Sequence, residues 1–201
     1  MRAKNSENSE KKKKIAMVIF TAIFLISSIA AVVLYRVPET TDSIRLNLSG
    51  KYYEFTREQN YFVTKIDTET VKFYSLPYDV ENIKVDQELI NTLKGTSYIF
   101  VTFDPIQEGL SEIDLLLYDF DTTFSGMNKF ILKGNTKESE IYNYPIISCL
   151  NATSFTPVIE LKTSNATKIE KIAGNCYSIE SRYLGFLKAR DRLIYGIKGL
   201  I

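Results

Sequence analysis

The sequence contains no histidine and no tryptophan, and only two cysteines among its 201 residues. The missing histidine excludes Ser-His-Asp and Cys-His nucleophile systems, imidazole zinc or copper sites and histidine general bases together. Carboxylate pairs, Ser-Lys pairs or a lone thiol are what remain for catalysis. Signature loops are missing too: there is no GxGxxG, phosphate loop, GxSxG or zinc spacing, and no cofactor or metal is implied. An excess of charge of one sign is also absent, since 25 bases meet 24 acids. The balance is uneven along the chain. Residues 1–14 carry six bases (Arg2, Lys4, Lys11, Lys12, Lys13 and Lys14) against Glu7 and Glu10, leaving 19 bases and 22 acids for the rest. That mildly acidic remainder gives no electrostatic reason to expect nucleic acid as a partner.

One long apolar run is present. Residues 15–35, IAMVIFTAIFLISSIAAVVLY, hold no charge, no proline and no glycine. As a helix, 21 residues reach roughly 32 Å, which matches a hydrocarbon core of about 30 Å. Ser27 and Ser28 are tolerable because a helical hydroxyl bonds back to a carbonyl one turn earlier. Six bases precede the run, and only Arg36 and Arg45 come closely after it, so the N-terminus is expected to stay cytoplasmic and the rest to lie outside. Lys11 to Lys14 would meet anionic headgroups, at about 1 kcal/mol each. The competing reading is a cleaved signal peptide with Ser28-Ile29-Ala30 as its small-x-small site. Apolar character continues unbroken to Leu34, which favours the anchor. Both readings export the remainder of the chain.

The expected organisation is a basic tail (1–14), a transmembrane helix (15–35), a stalk (36–43) and an extracytoplasmic α/β domain (44–201). Within the domain, residues 44–76 read as an antiparallel β-meander: a hairpin turning at Ser49-Gly50, then runs 61–66 and 70–76, stopped by Pro77. Residues 86–201 read as a β-α-β layer with a C-terminal helix. Asp86 caps a short helix that ends near Gly95, and Tyr98 to Phe103 is a strand covered on both faces. The next helix has Ser111 as its cap and Ile113, Leu116, Leu117, Phe120 and Phe124 as its stripe. Strands are expected at 129–132, 144–150, 157–161 and 168–179. The last helix runs from about Tyr183, with Phe186, Ala189, Leu193, Ile197 and Leu200 inward and Lys188, Arg190, Arg192 and Lys198 on an exposed face. The fold class is therefore mixed α/β.

Cys149 and Cys176 both lie in the exported part, where a disulfide is the default and would stabilise by roughly 3 kcal/mol. Asn47, Asn151 and Asn165 head Asn-x-Ser/Thr triplets and are candidate glycosylation acceptors. Asp104, ending a strand, and Ser111, starting a helix, mark the place where open α/β sheets bind ligands; a turn and a cap are the plainer explanation. Asp119-Phe120-Asp121 lacks the glycine of a calcium loop and reads as a solvated helix face.

PIISCLNAT, TPVIEL, GNCYSIES and ARDRLIYGIKGLI, in that order over residues 145–201, resemble the C-terminal half of archaeal single-pass membrane-anchored cell-surface proteins. FYSLPYDVENI and YIFVTFDP look like the upstream part of the same layout. The resemblance implies a cell-surface location and pairing of Cys149 with Cys176, and transfers no catalytic residue. Two functions stand as expectations: a structural or protein-interaction role at the cell surface with an envelope protein as partner, or an exported hydrolase using carboxylates or a Ser-Lys pair.

Overall fold

A computed structural model of the protein describes residues 17–27 and 42–201. Residues 17–27 are helical (α1), with exposed side chains and the Thr21 hydroxyl bonded back to the Met17 carbonyl (2.9 Å). The remainder of the expected span over 15–35, and most of the stalk, lies outside the described residues. Among the described residues no helix is long and apolar enough to cross a membrane. Residues 42–201 make a compact unit of their own.

That unit opens with the meander. Strands β1 (Ser43–Leu48), β2 (Lys51–Glu58), β3 (Tyr61–Ile66) and β4 (Glu69–Phe73) pair antiparallel in sequence order. Ser49 (φ 50°) and Gly50 (φ 81°) both enter the left-handed region, as a two-residue hairpin loop requires. After Pro77–Asp79, a single 3-10 turn, α2 (Gln87–Gly95) begins where Asp86 accepts the Glu88 N–H at 2.9 Å. The chain continues through β5 (Tyr98–Phe103), α3 (Leu110–Ser125), β6 (Phe130–Asn135), β7 (Val158–Thr163), β8 (Lys168–Ala173), β9 (Cys176–Ser181) and α4 (Leu184–Lys198). These strands form a separate, mixed sheet in the order β6-β5-β7-β9-β8, parallel except for β8. The protein is mixed α/β, as its residue pattern predicts.

Strand alternation divides the mixed sheet cleanly. Ile99, Val101, Phe103, Ile159, Leu161, Tyr177 and Ile179 point to one face and join the main core with the helices. On the other face Val158 and Cys176 pack with Ile147 in a small second cluster. α4 sits between the two sheets: it packs on β9, and its Tyr195 ring stacks on Phe73 of the meander at 4.0 Å. A helix enclosed from two sides buries much more than one stripe.

Several expectations are corrected here. Residues 168–179 are not one strand but the hairpin β8–β9, because Gly174 (φ 50°) and Asn175 reverse the chain. Residues 144–150 are not a strand. The backbones of Pro145 and Ile147 bond that of Asn135 in an isolated bridge, and the chain then turns through a 3-10 helix, Cys149–Asn151, capped by Ser148. β6 starts one residue later than expected and runs on through Gly134, where a Cβ would stand 2.6 Å from Ile147. Ser111 is not a cap: Gly109, with φ 75°, occupies that position, and Ser111 is an exposed residue of the first turn. Arg190 is not on an exposed face, nor is Asp119; they are 1% and 8% accessible.

Candidate functional site

Asp104 and Ser111, the residues that strand-end logic singles out, do not form a site. The Asp104 carboxylate accepts the Ile106 N–H (3.0 Å) and pairs with Lys137 (2.8 Å), as a turn residue does. Partial burial pulls its pKa upward, but Lys137 and the Ile106 N–H outweigh that and hold it below the usual range. Cys149 and Cys176 are bonded, tying the 3-10 turn to the start of β9. Asn47 and Asn165 are exposed on β1 and in the β7–β8 turn; Asn151 is exposed too, though its carboxamide oxygen accepts the Ser148 N–H (2.9 Å). Among the described residues no group of three or more acids, cysteines or histidines is placed to hold a metal ion.

What the fold does bring together is a buried ionic latch beside a groove. Arg190 of α4 reaches outward between α3 and β4. Its Nε lies 2.8 Å from Asp119, a terminal nitrogen bonds the Asp191 carboxylate and donates to the Lys72 carbonyl (2.8 Å), and the other bonds Thr123. Asp191 in turn accepts the N–H groups of Tyr74 and Ser75, both at 2.7 Å. Burial pushes the Asp191 carboxyl up to about 6, against the pull of Arg190 and the two N–H groups. The Tyr74 phenol donates to Asp119 (2.8 Å), and burial together with that carboxylate pushes it up to about 12. The latch therefore fixes Tyr74 and the end of β4 against both long helices.

On the solvent side of this latch three depressions adjoin, of about 380, 570 and 280 Å³. Tyr74 lines the first and second, Leu184 and Leu187 the second and third, and Leu115 the first and third, so the three adjoin along one grooved surface, divided by these side chains. Its floor is aromatic. The Lys72 ammonium stands 4.3 Å from the Tyr61 ring centre and 4.6 Å from that of Tyr74, within cation–π range of both. Its rim is apolar to an unusual degree for a water-facing surface: Leu115, Tyr118, Tyr183 and Leu184 are 60–71% exposed. Arg57 and Lys188 complete the wall of the largest depression.

Of the groove residues, only Lys188, on the basic face of the last helix, and Asp119, in the Asp-Phe-Asp triplet, draw notice as sites from sequence, and both read there as solvated helix surface. A signal was nonetheless present: Leu115 and Tyr118 fall off the apolar stripe of α3, and Leu184 and Leu187 fall off that of α4. Two adjacent helices that both carry apolar residues on their outward faces mark a surface with something to cover. No family model matches this chain, and no curated protein or solved structure proves similar to it.

Proposed function

We propose that this protein is a membrane-anchored module that holds a protein partner at the cell surface. In this reading residues 15–35 are the anchor, the lysine-rich tail stays in the cytoplasm against anionic headgroups, and the unit from residue 42 onward works outside. The observation that carries the interaction role is the groove, with Leu115, Tyr118, Tyr183 and Leu184 held out to solvent on a rigid base. Exposed apolar side chains beside aromatic and cationic ones are the composition of a binding surface. The hydrolase alternative gains nothing from the latch, because its two buried carboxylates, Asp119 and Asp191, both lean on the Arg190 guanidinium.

A photo-crosslinking side chain at position 187, introduced in intact cells, tests this directly. A discrete adduct is expected from position 187 and none from position 84, an exposed lysine away from the groove. Equal yields from both positions, or none from 187, would reject the groove as a partner site.

A further inference from the structure

We infer that the groove's occupant is an acidic chain segment carrying one large apolar side chain. The inference rests on the reading of the groove as a partner site and adds its chemistry. Unpaired charge in the walls sets the sign of the ligand. The largest depression is walled by Arg57 and Lys188 and contains no acid. The neighbouring one contains Lys72, Glu69 and Asp119; Glu69 pairs with Lys198, and Asp119 shares the Arg190 guanidinium with Asp191, so Lys72 balances the second carboxylate and this depression is close to neutral. Two further acids stand close by. Glu58 takes the Tyr61 phenol (3.1 Å), and Glu112, on the rim of the smallest depression, takes the Tyr183 N–H (3.0 Å).

Some exposed bases are answered within the fold, as in Lys133–Asp121, Lys137–Asp104 and Lys171–Glu88, while others away from the groove, such as Lys65, Lys84 and Lys94, stand without an ion-pair partner among the described residues. Among the described residues, none of Arg57, Lys72 and Lys188 has an ion-pair partner. The residues after the basic tail hold 19 bases and 22 acids, so the Arg57–Lys188 wall, with two bases and no acid, runs against the sign of the rest. Cations kept unpaired on an acidic protein match an acidic ligand. The apolar requirement comes from the smallest depression, about 280 Å³ walled by Leu115, Leu116, Leu184, Phe186 and Leu187. That is room for one leucine- or phenylalanine-sized side chain. Because Leu184 and Leu187 separate it from the Arg57–Lys188 wall, the ligand's carboxylates and its apolar side chain must be near neighbours in sequence.

The test uses the full chain in nanodiscs of neutral lipid and two fluorescent synthetic peptides. One has a leucine pair flanked by aspartates, and its twin has lysines in their place. The aspartate peptide is expected to bind at least about tenfold more tightly, the equivalent of one well-placed charge pair. Reversing the wall with R57E and K188E together should invert that preference, and inversion is a result that misfolding cannot produce. Leu187→Ala should weaken both peptides. Equal binding of the two peptides, no binding of either, or a preference untouched by charge reversal would overturn the inference. So would loss of peptide binding in nanodiscs of anionic lipid, which would assign the cations to headgroups. The crosslink at position 187 separates the two failures. An adduct without peptide binding rejects the acidic chemistry alone, whereas loss of both rejects the partner site itself.

Discussion

Replacing Arg190 by alanine is expected to destabilise the unit spanning residues 42–201 by about 3–5 kcal/mol, the usual loss when one member of a buried ion pair is removed. The size reflects what would be left behind. Arg190 is 1% exposed and Asp191 fully buried, so Asp191, on losing its counter-ion, cannot turn to water for compensation, and Asp119 can do so only through the edge that lines the first depression. The Lys72 carbonyl and the Thr123 hydroxyl lose a donor at the same time. For a domain of this size the melting temperature should fall by roughly 10 °C, at about 2–4 °C per kcal/mol.

The loss carries a pH signature. The Asp191 carboxyl is raised to about 6 in the folded protein, above its ordinary unfolded value near 4. A raised carboxylate favours folding when protonated, so its contribution is fully present below about pH 4 and is lost as pH rises through about 6. Without Arg190, whose charge opposes that rise, Asp191 would hold its proton more tightly still. The difference between R190A and the natural protein should therefore be largest above pH 6 and smaller at pH 4. Urea denaturation at both pH values measures it. A loss under about 1 kcal/mol at pH 7 would mean that the latch does not hold β4 to the helices.

Replacing Cys149 and Cys176 together by alanine is expected to remove about 3 kcal/mol, the loop-closure value for a separation of 27 residues. The effect should be local in place as well as large. The far face of the mixed sheet is covered by a small cluster, in which Ile147, Val158 and Cys176 are the buried members. Freed from β9, the segment between β6 and β7 should open, and hydrogen exchange at the Asn135 and Ile147 amides, which bond β6 to that segment, should accelerate. The amides of Tyr74 and Ser75, held by Asp191 on the other side of the sheet, should exchange as before. Unchanged stability would show that the apolar contacts alone pin the segment.

Much of this architecture can be read from residues, and the parts that cannot share a cause. β5 is recovered to the residue, Tyr98–Phe103, because an apolar run covered on both faces and stopped by Asp104-Pro105 has few alternatives. The meander and its Ser49-Gly50 turn are legible for the same local reasons. α4 is where periodicity misleads. Its stripe of Phe186, Ala189 and Leu193 is correct, yet Arg190 and Asp191 are buried as deeply as that stripe. A second layer, the meander, closes over the helix from the other side, and nothing within the helix announces it. The same closure gives Asp119 its burial. The hairpin β8–β9 is a different failure, since Gly174-Asn175 is a recognisable turn that the surrounding β-rich residues obscure. The groove is legible in part: leucines and a tyrosine off the inward stripes of α3 and α4 point to it, whereas Arg57, Lys72 and Tyr74 come from distant strands and join it only in the fold.

The partner groove has meaning at the cell surface only if the unit that carries it is exported, and surface labelling tests that most directly. Intact cells are treated with an amine-reactive reagent that cannot cross membranes, and labelled peptides are identified by mass spectrometry. Lys65, Lys84 and Lys94, all exposed, should be modified, and Lys11 to Lys14 should be spared. Labelling of the tail with protection of Lys65, Lys84 and Lys94, or recovery of the chain in the soluble cytosolic fraction with two free thiols, would contradict the account.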